Sequence, residues 1–255
     1  MNVTEHARRY WQYEYDVSAR YMVPLLRQWG KAVGGTSVLD VGCGEGGGVC
    51  AMHDHGARCV GFDVDEHRVN AAAELKGNRD IVFAVSNLYN QHLPYHDEKY
   101  DLVMLHDVFE HLDDKEKMIR KLMGYMKPEG ALLLTFPPYY SAYGAHQQHL
   151  RAPFARLPFF HLIPFGLSVV LPRLKNEYPH IVEEVRKLGR LKMGMGSFEN
   201  IAARGGLRIV CRQAYLVSPN HIRFGLTPLS AGPLAGIPLI REIVCSGVVY
   251  LLSKQ

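Results

Sequence analysis

The sequence has 255 residues, 47% hydrophobic and 21% charged. That composition suits one large α/β domain, or a domain with an inserted cap, and excludes a disordered chain, a collagen and a coiled coil. Lys plus Arg number 29 against 25 Asp plus Glu, a net charge of +4, too slight a bias to argue for nucleic acid. The five cysteines, Cys43, Cys50, Cys59, Cys211 and Cys245, match neither a zinc pattern nor a disulfide framework and read as reduced thiols. The first residues lack the apolar core of a signal peptide. No apolar run reaches the roughly 20 residues that span a bilayer, so a cytoplasmic protein is expected.

In chain order, residues 5–29 carry aromatic and apolar side chains at helical spacing and predict a helix. Ser37 to Val41 is a short buried strand that runs into a tight turn, and Arg58 to Asp63 is a second strand. Asp65 caps a helix predicted to Lys76. Ile81 to Val85 and Tyr100 to His106 are further strands, Asp113 to Met126 a helix, and Ala131 to Phe136 a fifth strand. Strands alternating with helices predict a parallel sheet covered on both faces. From Pro137 the alternation stops, and the segment 137–196, rich in Pro, Tyr, Phe and His, reads as an inserted cap. Between Arg151 and Lys192 it holds eight basic residues against three acidic ones. Ser197 to Ala203 is a short helix, and Leu207 to Val217 and Ile243 to Leu252 are the last two strands. The fold class expected is a Rossmann-like, mostly parallel seven-stranded sheet with helices on both faces. Its core comprises 1–136 and 197–255, with 1–35 as a helical lid.

The most informative stretch is Val38 to Gly47, where a strand ends in a glycine turn leading into a helix. Gly42, Gly44 and Gly47 satisfy G-x-G-x-x-G, a pattern that alone fits a dinucleotide fold equally well. Two carboxylates separate the readings. Asp40 lies two residues before the first glycine, where it faces a cationic ligand better than a pyrophosphate. Asp63 ends the second strand, where an acid can grip both hydroxyls of a ribose.

With these residues the sequence resembles the class I S-adenosylmethionine-dependent methyltransferases, in particular the small-molecule group. Val38 to Gly47 resembles the first motif, Phe62-Asp63-Val64-Asp65 the second-strand acid, Tyr100 to Leu112 the fourth-strand motif, and Leu122 to Thr135 the following helix, turn and strand. The resemblance implies S-adenosylmethionine as cofactor. It places Gly42, Cys43 and Gly44 under the methionine part, Asp40 near its ammonium and Asp63 on the ribose. Phe62 and Val64 fall beside the adenine, and His106 beside the sulfonium. Ser86 and Asn87 stand where many members place an Asp on the adenine amino group, which is a departure. Tyr21, with Arg20, is a candidate for the methionine carboxylate.

Substrate meets cofactor at the carboxyl ends of the strands in this family and in open α/β sheets generally. The segment Pro137 to His149 leaves that edge directly, so His146 or His149 is the candidate general base, with His106 beside Asp107 as the rival. Glu110-His111 reads as structural. A metal-assisted mechanism would draw on Asp107, Asp113 and Asp114, but that doublet reads as a helix start, and no metal site is expected. The expected acceptor is a small molecule with a reactive O or N, such as a sugar, lipid-linked or natural-product intermediate, anionic or hydrophobic in character. The cap run from Phe159 to Leu171 packs as a lid or touches a membrane surface. Two rival readings remain at this stage: a nicotinamide-dependent oxidoreductase, and a non-catalytic partner subunit that binds the cofactor without turnover.

Overall fold

The computed structural model describes residues 3–90, 99–163 and 177–255. The first helical stretch is not one helix. The helix α1 (Glu5–Val17) starts at Thr4, whose Oγ1 accepts from the Ala7 amide at 3.1 Å, and a π-helical turn, Ser18–Met22, separates it from α2 (Val23–Gln28). Pro24 has no amide proton, and the Val23 amide reaches back to the Ser18 carbonyl, so the ladder shifts by one residue there.

Then follow β1 (Ser37–Val41), α3 (Gly47–Asp54), β2 (Arg58–Asp63), α4 (Glu66–Leu75), β3 (Ile81–Val85), β4 (Tyr100–His106), α5 (Lys115–Tyr125) and β5 (Met126–Phe136). Asp65 caps α4, its carboxylate accepting from the His67 and Arg68 amides. Next come α6 (Pro179–Leu191), α7 (Met195–Arg204), β6 (Leu207–Val217), β7 (Leu229–Ser230), α8 (Pro238–Val244) and β8 (Gly247–Lys254). The sheet order is β3-β2-β1-β4-β5-β8-β6-β7, parallel from β3 to β5 and antiparallel beyond.

Alternate residues of each central strand enter different cores, because successive side chains point to opposite faces of a sheet. Leu39, Val103, Leu105, Leu132 and Leu134 face one cluster with Phe109, Ile119 and Phe198; Val38, Leu102, Met104 and Leu133 face another with Val17, Leu26, Cys50 and Met52. Both faces are therefore dry, as a parallel sheet requires.

Three details differ from the sequence expectation. The described sheet has eight strands rather than seven, because β6 also pairs with the two-residue β7. Residues Lys127 to Gly130 are not a turn; β5 begins at Met126, with a bulge opposite Tyr100 and Leu102. The strand expected from Ile243 starts only at Gly247, since residues 238–244 are helical. Among the described residues no helix is long and apolar enough to cross a membrane. Half of the expected apolar cap run, Phe165 to Leu171, lies outside the described residues.

Candidate functional site

The turn after β1 is built on left-handed backbone. Gly42, Gly44 and Gly46 have φ of 81°, 56° and 80°, a region that strains any residue with a Cβ. The turn is tied to the end of β2: the Gly42 and Cys43 amides donate to the Phe62 carbonyl at 2.8 and 3.1 Å. Asp63 completes the tie. Its Oδ2 accepts from the Gly44 amide and its Oδ1 from the Asp65 amide, each at 2.9 Å. Asp40 is buried beneath, and its Oδ1 has no hydrogen-bond partner. Burial, with the charge of Asp63 second, pushes its pKa up to about 7. A cationic ligand close by would restore the charged form.

Asp40, Gly42, Cys43 and Asp63 line a cavity of 380 Å³, within the range of small-molecule sites. The N-terminal helix closes over it with Tyr10, Tyr13 and Glu14. Glu14 Oε2 accepts from the Gly47 amide at 3.1 Å, and Arg68 bridges Glu14 at 3.3 Å and Glu45 at 2.5 Å. Burial first, then the charge of Glu45, raises the Glu14 pKa well above the usual carboxylate range, and Arg68 opposes this. Glu14 and Arg68 were not evident in the sequence, because nothing in their spacing from the glycine turn announces the contact.

The same cavity is lined by His106, Asp107, His146, His149 and Glu184. Asp107 has φ of 52° and is held by Thr135, whose hydroxyl donates to Oδ1 at 2.9 Å, and by the Asn220 amide on Oδ2. Such left-handed backbone on a side-chain-bearing residue is a strain that clusters at functional sites. His106 is half-buried with its Nε2 unpartnered, and burial of the ring lowers its pKa against the opposing charge of Asp107. His146, itself at φ of 57°, holds Glu184 Oε1 through Nδ1 at 2.8 Å and stacks on His149, ring centroids 5.8 Å apart. Burial, then the neighbouring His146, lowers the His149 pKa, so its imidazole is neutral at pH 7.

A family described as a methyltransferase domain matches residues 39–134. Over those residues the chain is similar to methyltransferase domains. Over 104 residues it is 34% identical to a phosphoethanolamine N-methyltransferase of Plasmodium falciparum, a match that covers 39% of this chain and 38% of that protein. The chain thus spans well under half of that relative's length. An uncharacterized methyltransferase of Mycobacterium avium is 24% identical over 99% of this chain and 90% of its own. Two solved structures share the fold. A magnesium protoporphyrin IX methyltransferase from Synechocystis, with S-adenosylhomocysteine bound, has a TM-score of 0.55 at 16% identity and covers 100% of this chain and 90% of its own. An S-adenosylmethionine-dependent methyltransferase from Mesorhizobium loti has a TM-score of 0.57 at 20% identity, over 93% and 99%.

Several residues expected to touch cofactor do not line the cavity. Phe62 packs in the core, because on β2 it points opposite to Asp63. Val64, past the strand end, is 66% exposed. Gly44 lies beneath Arg68 and Glu14, which a Cβ there would meet at 2.4 and 2.6 Å. The Ser86 amide donates to the Asp63 carbonyl, and Asn87 Oδ1 accepts from the Tyr89 amide, so both are occupied in shaping the loop after β3. Tyr21 packs against the second core cluster with the Arg20 guanidinium over its ring. Asp40, Gly42, Cys43, Asp63, His106, His146 and His149 all line the cavity.

The residues present fit the cofactor. The unpartnered Asp40 carboxylate suits a cation, and Gly48 beside it is open only because it has no side chain: a Cβ there would lie 3.1 Å from Ser18 Oγ and 3.8 Å from Asp40 Oδ2.

Proposed function

We propose that this chain transfers a methyl group from S-adenosylmethionine to an oxygen or nitrogen of a small-molecule acceptor, with His149 taking the acceptor proton. The observation that carries this reading is that one cavity is lined both by Asp40, Gly42, Cys43 and Asp63 and by His106, His146 and His149. Asp63 would hold the ribose, Gly42 and Cys43 would pass under the methionine, and Asp40 would face its ammonium. S-adenosylmethionine, when bound, supplies an activated methyl, so the protein is left to align the acceptor, exclude water and move one proton.

Among the histidines, His149 suits the proton transfer. It lines the cavity, its ring nitrogens have no partner among the described residues, and burial keeps it neutral. His146 is already engaged with Glu184 and supports His149 by stacking. Arg223, also on the cavity wall, supports an anionic acceptor such as a phosphorylated amine, sugar or lipid-linked intermediate. The name of the malarial relative, a phosphoethanolamine N-methyltransferase, is consistent with such a class.

Replacing His149 by Ala tests the base. General base catalysis contributes about 10²–10⁴-fold, so turnover should fall by at least about 10² with S-adenosylhomocysteine affinity retained. Near-normal turnover in His149→Ala would remove it from this role.

A further inference from the structure

We propose that Glu110, His111, His146 and Glu184 form a binding site for one divalent transition-metal ion, of the kind that prefers imidazole and carboxylate together. Three separate parts of the chain supply it. Glu110 and His111 come from the 3₁₀ turn after β4, His146 from the loop after β5, and Glu184 from α6. One ligand atom each of Glu110, His111 and His146 lies within 4.8 Å of the others. His111 Nε2 is 3.7 Å from Glu110 Oε1 and 4.0 Å from Glu184 Oε1, and Glu184 Oε1 is 2.8 Å from His146 Nδ1. A tetrahedral ion with bonds of about 2.0–2.1 Å spaces its ligand atoms about 3.3 Å apart. Glu110, His111 and His146 therefore close on such an ion with a shift of up to about 0.9 Å at each atom, and Glu184, beside His146 and His111, turns its carboxylate in to complete the set.

The second observation is Glu110. It is 2% exposed, and neither carboxylate oxygen has a hydrogen-bond partner. A buried carboxylate without a partner is costly. The nearby ammonium does not relieve it: Lys115 Nζ donates to the carbonyls of Phe109, Glu110 and Leu112 at 2.8, 3.1 and 2.7 Å. A cation held between Glu110 and the two imidazoles accounts for what the protein atoms leave unpaired.

The donor set selects the ion. Two imidazoles and two carboxylates suit zinc, cobalt, manganese or ferrous iron, whereas calcium and magnesium take oxygen. For ligation, His146 gives up its hydrogen bond to Glu184; its Nδ1 proton moves to Nε2, and the Nδ1 lone pair and a Glu184 oxygen both turn to the ion. The sequence hides the site because its four residues lie at positions 110, 111, 146 and 184, with none of the short spacings of a metal motif.

The ion would tie the segment bearing His146 and α6 to the sheet domain. Because His111, His146 and Glu184 line the cavity, it would also face the acceptor and polarise an acceptor oxygen; this second role rests on the methyl-transfer reading, while binding itself does not. The test uses the full chain, free of any histidine tag and stripped with chelator, titrated with Zn²⁺ by calorimetry and with Co²⁺ by visible absorption, without nucleoside. The expected result is one equivalent bound, a raised melting temperature, and cobalt bands of tetrahedral intensity. Glu110→Gln and Glu184→Gln should each weaken Zn²⁺ binding by at least tenfold while remaining folded by circular dichroism, and His67→Gln, on exposed α4, should not. Absence of stoichiometric binding in the wild-type chain, or wild-type affinity in the two Glu variants, overturns the proposal. Loss of methyl transfer with metal binding intact would instead count against the catalytic reading alone.

Discussion

Gly47→Ala puts the seating of the N-terminal helix to a quantitative test. Gly47 opens α3, and a Cβ on it would lie 2.0 Å from the Trp11 carbonyl oxygen, 2.8 Å from the Tyr15 amide nitrogen and 2.9 Å from Glu14 Cβ. Two of these are backbone atoms of α1, so no flexible side-chain tip can yield. The helix must retreat by about 1.4 Å to restore ordinary contact at 3.4 Å. That retreat breaks the hydrogen bond from the Gly47 amide to Glu14 and lifts Tyr10 and Tyr13 off the cavity. Overpacking of this kind costs about 1–3 kcal/mol. For a chain of this size that lowers the melting temperature by roughly 2–4 °C per kcal/mol. Affinity for S-adenosylhomocysteine should fall about tenfold, or about 1.4 kcal/mol. The matched control is Gly124→Ala on α5, where a Cβ meets nothing within 4 Å; there the helix should gain about 0.5–1 kcal/mol. Scanning calorimetry and calorimetric titration read both quantities. A Gly47→Ala protein with native melting temperature and native affinity would refute the close packing of α1 over the glycine turn.

Other outcomes follow from the same geometry. Asp63→Asn keeps one acceptor where Asp63 now serves the Gly44 and Asp65 amides. With charged hydrogen bonds worth about 1.5–3 kcal/mol each, S-adenosylhomocysteine affinity should drop by at least tenfold in calorimetry, and an unchanged affinity would contradict the ribose assignment. Asp54 accepts from Arg79 at 2.7 and 2.8 Å and from the Tyr15 hydroxyl at 2.9 Å, and the Arg79 bond is the main cause of its pKa falling to about 2. A folded-state pKa below the unfolded value gives stability that is full above pH 4 and lost as pH falls through 2. Asp54→Asn should therefore cost about 1–2 kcal/mol at pH 7, after allowance for solvent screening. By pH 2 its urea-unfolding midpoint should approach that of the wild type; a constant gap across that window would rule out the linkage.

The parallel strands were legible because each is a continuous apolar run ended by a polar or glycine residue. The bounds of β1 to β4 and of β6 follow those runs, and Asp65 announces the start of α4. The eighth strand and the helix before β8 were not legible. Ile243 and Val244 read as a continuation of the following strand, yet they form the end of α8 and are exposed. At the site, the cavity-lining positions of Asp40, Gly42 and Asp63 were legible because they are local to strand ends. Phe62 packs into the core instead of lining the cavity, since adjacent strand residues face opposite sides and Asp63 turns to the cavity. Glu14, Arg68, Glu110 and Glu184 acquire their surroundings only through tertiary contacts between distant segments, which composition and spacing do not encode.

Calorimetric titration of the purified chain with S-adenosylmethionine, S-adenosylhomocysteine and the reduced nicotinamides tests the central claim most directly. The cavity geometry predicts binding of both sulfur nucleosides, loss of that binding in Asp63→Ala, and no heat from the nicotinamides. Binding of a nicotinamide with none of either sulfur nucleoside would contradict it and make the glycine turn a dinucleotide site.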